Sequence, residues 1–594
     1  MIAVRRACTL LTIFIALGCS RERSNAHTTS SDDKPMRGGT LRMVGSTDID
    51  HLATTSQYFI VGWRLATLYA RQLVTYTAAR DLEGLSHLVP DLATVVPTRE
   101  NGGIAPNGKR YTFHVRRGVK WNSAPARDLV ADDFVRAFKL MCNPVSPVGA
   151  PNYYATIRGF SDYCRDFAKI PGTAADITRF IETHEMDGVR AHDDTTLIFD
   201  LRVPATDFAN IVSLPFASPV PVEYLDYVPD SPAFRRHTIS IGPYQLTHYE
   251  PVRKFTFGRN PAWDPATDPL RKAYVDSVDV TIGLSPQSVQ QQIEAGTADL
   301  SFDGMAIDVA TNLSRNDPSI FIAPDGDVAL YWIMLAVNML SPNEHGALSK
   351  LAVRQALQYA VNKTAVAQVM GGKRVVRPAH QAVTAASAGY IPDWDPYPTP
   401  GDTGDPTKAR QLLMEAGYPN GLTLKAWSYP DGDQIKQHAV LQQSFARAGI
   451  TLTILPVRDA QGMDYLTSDN LRRGVLDLIW NYWGPDWLSP TNGRSVIDPL
   501  FNGRQRNANG NRGFYNNDTV NDLIERASTA LTPATAAPLW AEAARTVMQD
   551  AAVIPLFEGR MVHQRSARIV NCIPHIWSNF SCDLPNVALR QGGR

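Results

Sequence analysis

Apolar residues recur at every second position in three separated stretches of this chain, and each stretch predicts a half-buried strand. Tyr111, Phe113 and Val115 alternate with Thr112, His114 and Arg116; Leu197, Phe199 and Leu201 alternate with Ile198, Asp200 and Arg202; Val278, Val280 and Ile282 form the third set. Elsewhere the spacing is helical. Val353, Ala356, Leu357, Ala360 and Val361 make one apolar stripe, as on a helix that buries a single face. Asn362 then fits the cap of a second helix running to Met370 and stopped by Gly371-Gly372, since Asn favours helix starts and Gly helix ends. Leu412, Leu413 and Ala416 repeat the stripe before Gly417. Strands and helices intermix without a strict βαβ rhythm, so the expected class is mixed α/β. Pro-rich linkers fall near 219–229 and 392–406.

The amino terminus has another pattern. Arg5 and Arg6 precede an apolar run, Ala7 to Leu17, that ends in Gly18-Cys19. A basic head, a short apolar core and a small residue before the cut describe an export signal. The run is too short for a permanent span, which needs roughly 20 residues. The Cys after the small residue resembles a lipoprotein signal over 1–18, with Cys19 acylated, although Ala16 stands where Leu, Val or Ile is usual. Residues 19–37 are mostly Ser, Thr, Asp, Arg and Lys, a composition that stays solvated as a tether. The chain is therefore expected outside the cytoplasm, held at the membrane through lipid.

Cysteine usage fits an oxidising compartment. Cys8 leaves with the signal, Cys19 takes lipid, and Cys142, Cys164, Cys572 and Cys582 remain. Of three possible pairings, Cys142–Cys164 and Cys572–Cys582 are expected, because short loops close most easily. The thiols lack zinc-knuckle spacing, and no metal or cofactor is expected. At 594 residues the chain is too long for one core, so two or three domains follow. Charge is balanced, 58 basic against 58 acidic residues, which leaves no field to attract nucleic acid.

A series of short motifs runs in order through the chain: Gly38 to Leu41, Pro90 to Ala93 (PDLA), Tyr111 to Trp121, Ala131 to Phe134, Gly242 to Tyr244, the Asn338 strand, Val353 to Leu357, Tyr359 to Lys363, Ala409 to Tyr418 and Ile554 to Leu556. Their joint order resembles the bacterial extracellular solute-binding proteins of family 5, the oligopeptide, dipeptide and nickel-chelate receptors of ABC importers. The resemblance implies a type II periplasmic-binding-protein fold, two lobes with a hinge plus an extra inserted domain. One lobe is discontinuous, 38–64, 237–323 and 551–594; 65–236 forms the extra domain packed on it; 324–550 forms the other lobe. Two crossing strands serve as hinge, and the protein works as a monomer with a peptide ligand and the ABC permease transmembrane subunits as partners.

The segment Leu478 to Trp487 is the place to look for chemistry. Its first six residues read as a strand that Gly484-Pro485 must break, which puts Asp486 on a loop at a strand end between indoles. A carboxylate in a partly dried cleft is suited to a ligand ammonium group. In peptide-binding relatives the matching Asp holds the peptide α-amino group; the acidic residue frequent three places later is Ser489 here. Trp487 is expected as a cleft wall, Trp480 and Trp483 as scaffold. Asn338 and Met339 are candidates for a strand edge that pairs with an extended ligand, and Tyr244 for another wall. Dipeptide-selective relatives carry an Arg in the stretch matching Trp427 to Pro430. None stands here, which favours a longer or different ligand. Enzyme motifs are missing: no G-x-S-x-G, H-E-x-x-H or P-loop. The expected function is an importer receptor for oligopeptides. The alternatives are a receptor for a nickel chelate or oligosaccharide, a peptide-signal sensor without transport, and last an extracellular hydrolase.

Overall fold

The computed structural model describes residues 35–303, 319–326, 328–428, 432–456, 465–505 and 510–590. The export signal, Cys19 and nearly all of the tether lie outside the described residues. Among those described, no helix is long and apolar enough to cross a membrane.

Two sheets organise the described chain. The first has five strands. Thr40–Val44 runs parallel to Ser277–Thr281 and to Leu300–Ser301, and Lys254–Arg259 lies antiparallel between Ser277–Thr281 and Tyr244–Glu250. The alternation read at Val278 and Val280 points both side chains into its core beside Phe255 and Phe257.

The second sheet has six strands in the spatial order Val376–Pro378, Val553–Gly559, Tyr331–Val337, Leu478–Trp483, Leu422–Ser428, Ile450–Pro456. Tyr331–Val337 and Val553–Gly559 are buried along almost their whole length, as expected of strands covered on both faces. Val553–Gly559 was expected in the first lobe. It pairs instead with Tyr331–Val337 and Val376–Pro378, so the boundary at 550/551 falls one strand early. The chain passes between the two sheets beside a short antiparallel ladder, Ile320–Ala323 with Met561–Gln564.

A separate apolar cluster gathers buried residues between Leu73 and Leu225 and takes in Ala323, Trp487 and Trp577 from elsewhere in the chain, whereas Leu65 to Ala70 and Phe234, expected in the extra domain, pack with the first sheet. Tyr111 and Phe113, on the strand Arg110–His114, pack with Phe199, Phe138, Phe208 and Tyr154. Asp91 of the PDLA motif fastens this core to the first lobe. Arg71 Nε donates to its Oδ1 at 2.9 Å, Arg271 Nη2 to its Oδ2 at 2.7 Å, and Asp268 lies 3.2 Å from Arg271. Burial alone would raise the Asp91 carboxyl, but Arg271 and Arg71 outweigh it and hold it at about 2. Cys142–Cys164 and Cys572–Cys582 are both bonded. The predicted helical stripe lies on helix Leu351–Ala360, and Asn362 caps Lys363–Val369 by accepting the Ala365 N–H at 2.8 Å.

Candidate functional site at the junction of the second lobe and the inserted domain

The strand Leu478–Trp483 ends where Gly484-Pro485 turns the chain out of the sheet. The loop that follows leaves its own lobe. Asp486, half-buried, accepts a hydrogen bond from the hydroxyl of Tyr153, which stands on the short helix Pro151–Tyr154 of the inserted domain. Trp487 is fully buried and meets the Tyr153 ring edge-on, centroids 5.1 Å apart at 82°. Trp487 and Leu488 pack within the apolar cluster of the inserted domain, not that of the second lobe. Asn492 fixes the loop's path: its Nδ2 donates to the carbonyls of Trp487 at 3.0 Å and Ala386 at 3.1 Å, and its Oδ1 accepts the Ala388 N–H at 2.7 Å.

Burial pushes the Asp486 carboxyl up to about 6, against the opposing pull of the Tyr153 hydroxyl. Among the described residues no ion pair engages it. Its surroundings are phenolic. Burial, then the charge of Asp486, hold the Tyr153 hydroxyl protonated, and that same charge together with burial does so for Tyr58, whose ring stacks on Phe216 at 6.0 Å. A half-buried carboxylate beside phenols, with no ion pair among the described residues, destabilises its own ionised form, so a cation brought to it relieves a penalty already present.

The other expected site residues lie elsewhere. Asn338 is fully buried; its Nδ2 donates to the carbonyls of Leu471 at 2.7 Å and Leu476 at 2.8 Å. The adjoining strand is flanked on both sides, and the Met339 N–H is taken by Gly513 O at 3.1 Å, so neither residue offers a free edge. Trp332 pairs with Trp483, and Asn338 lies six residues further along, about 20 Å from that end. Tyr244 is buried in the first-lobe core, its hydroxyl donating to Val275 O at 3.0 Å. Trp487 supports the Tyr153 ring from within the core instead of walling a cleft. Trp483 donates from Nε1 to Ser495 O at 2.8 Å and Trp480 meets His438 edge-on at 5.0 Å, scaffold contacts in both cases. Tyr482, between them, is 56% exposed and leans on Tyr331.

Tyr153 and Tyr58 escape sequence reasoning because nothing local marks them: 333 residues separate Tyr153 from Asp486. Among the described residues one group has metal-ligand chemistry, His380 with Asp402 at 2.9 Å and Asp395 at 3.9 Å. The buried Lys363 ammonium, lowered to about 8 by burial, feels both acids as opposing attractions. The two carboxylates thus already have cationic company.

A family model for the bacterial extracellular solute-binding proteins, family 5 middle region, matches residues 87–502. Heme-binding protein A of Haemophilus influenzae is 24% identical over 494 residues, 80% of this chain and 79% of that protein. The dipeptide-binding protein of Escherichia coli is 27% identical over 389 residues, 63% of this chain and 64% of its own. Among solved structures, clavulanic acid biosynthesis oligopeptide binding protein 2 superposes with a TM-score of 0.79 at 26% identity, over 94% of this chain and 96% of that one. These relatives are binding proteins.

Proposed function

This chain belongs to the bacterial extracellular solute-binding proteins of family 5, and we propose that it is the lipid-anchored receptor of an ABC importer that captures oligopeptides between its lobes. Asp486 takes the α-ammonium group of the peptide. The observation that carries this reading is the half-buried Asp486 carboxyl, raised to about 6 and without an ion pair among the described residues, where the second lobe meets the inserted domain. A ligand cation completes that site; a neutral or anionic group does not. Lobe closure needs no covalent chemistry, since closed-state contacts with ligand shift the population toward the closed form. Cys19 carries the lipid that keeps the receptor near its permease.

Mass spectrometry of protein purified without denaturation tests the ligand class, with released peptides as the expected result. Free-amine peptides should bind and their N-acetylated forms should not. The relative described as heme-binding makes a non-peptide solute the second reading, and a co-purified porphyrin, sugar or chelate would favour it. Cys19→Ser should free the protein from the membrane fraction.

A further inference from the structure

The loop that carries Asp486 makes a second crossing eight residues later. Arg494, on the short helix Gly493–Val496, places Nε 3.0 Å from Oδ2 of Asp207, and its Nη2 donates to the Ser528 carbonyl at 3.0 Å. Asp207 belongs to the inserted domain, immediately before Phe208–Ile211. Both partners are buried, Arg494 at 7% and Asp207 at 3% exposure. The ion pair therefore spans the junction between the second lobe and the inserted domain in a place that excludes water. Its second-lobe surroundings are acidic too. Asp498 is buried one turn further on, raised by burial and drawn back by Asn502 and then by Arg494. Asp207 Oδ1 is buried with no hydrogen-bond partner among the described residues.

These charges are costly to bury one at a time and tolerable together. If the junction parts, water reaches both and neither is stranded; when it shuts, each becomes the other's partner. The contact is thus specific to the shut state without penalising the open one. It is also tied to the ligand site, because Asn492 braces the short stretch between Trp487 and Arg494.

We propose that the Arg494–Asp207 pair is a retention latch, a pair of positioning residues that do not touch the ligand but set how fast the closed lobes reopen. This inference rests on the lobe-closure reading above. Buried charge pairs across interfaces act mainly on dissociation, so Arg494→Met and Asp207→Asn should each speed release at least about tenfold. The double variant Arg494→Met/Asp207→Leu, which strands neither member of the pair and leaves Asp498 to its Asn502 partner, should release more slowly than either single one. Arg494→Lys should restore part of the retention.

Two measurements on the full-length protein decide it. Stopped-flow tryptophan fluorescence follows release of tetra-alanine, and small-angle X-ray scattering compares the unliganded proteins. The latch predicts faster release, or a larger radius of gyration without ligand, in both single variants while their melting stays cooperative. Equal release rates together with equal radii would overturn it, as would lowered melting temperatures with release unchanged, the mark of a merely structural contact. Failure of the unaltered protein to bind tetra-alanine would count against the peptide reading instead, and scattering alone would then decide the latch.

Discussion

Moving the pH from 5 to 7.5 should switch the receptor from weak to full ligand affinity through one carboxyl. The ordinary value for Asp is 3.8 and Asp486 stands at about 6. That difference is a penalty of about 3 kcal/mol on the ionised form, imposed by burial and only partly relieved by Tyr153. The sign follows from linkage. In the unliganded protein the raised carboxyl lowers stability as pH climbs from about 4 to 6, because the unfolded chain ionises first. A ligand ammonium requires the ionised form, so affinity should rise through about pH 6 and level off above 7. At pH 5 roughly one carboxyl in ten is ionised, and affinity should be about tenfold weaker. Near pH 6 each binding event should release about half a proton. Isothermal titration calorimetry in buffers of different ionisation enthalpy reads both quantities, with a free-amine tetrapeptide as ligand. Asp486→Asn should lose about 100-fold or more in affinity, abolish the proton release, and raise unliganded thermal stability at pH 7. A flat affinity from pH 5 to 7.5, or a full-strength Asn variant, would exclude Asp486 as the partner of the ligand ammonium.

Tyr153→Phe removes the donor that steadies the ionised Asp486, so the pH midpoint of binding should move upward and affinity at pH 7 should fall severalfold. Asp91→Asn leaves Arg71 and Arg271 with Asp268 as their remaining shared anion, and denaturant unfolding should show a loss of about 3 kcal/mol, the low end for a broken buried pair. Because the Asp91 carboxyl is depressed to about 2, its contribution is present above about pH 4 and fades as pH falls toward 2, a window that acid titration of the melting temperature should expose. Replacing Cys142 and Cys164 together by Ser opens a loop with a sequence separation of 22. That should cost about 3 kcal/mol, readable as a melting shift that reductant exceeds in the unaltered protein, since it also opens Cys572–Cys582.

Local pattern carried much of the fold. The alternation at Tyr111 and Phe113, the stripe from Val353 to Ala360 and the Asn362 cap all lie where short-range spacing puts them. The Gly484-Pro485 break likewise marked the loop of Asp486, because a strand cannot continue through that dipeptide. What failed was whatever depended on distant partners. Val553–Gly559 reads equally well as a strand of either lobe, and only its pairing with Tyr331–Val337 decides. Asn338 and Met339 read in sequence as a strand edge open to a ligand, yet the Asn338 amide satisfies backbone carbonyls where strand and loop meet. Tyr244 has the same ambiguity, an amphipathic side chain whose hydroxyl found a backbone partner. The PDLA motif was recognisable as a string, but the reason for its Asp appears only when Arg271 arrives from another part of the chain. Tyr153 and the Arg494–Asp207 pair had no sequence signal at all, since each joins segments more than 280 residues apart.

In the proposed receptor one acidic side chain at the junction recognises a positive ligand terminus. A crystal structure of the receptor carrying its natural ligand tests it most directly. A ligand nitrogen should lie about 2.7–2.9 Å from an Asp486 carboxylate oxygen. An occupant without a cation, or an Asp486 carboxyl pointing away from the ligand, would contradict it.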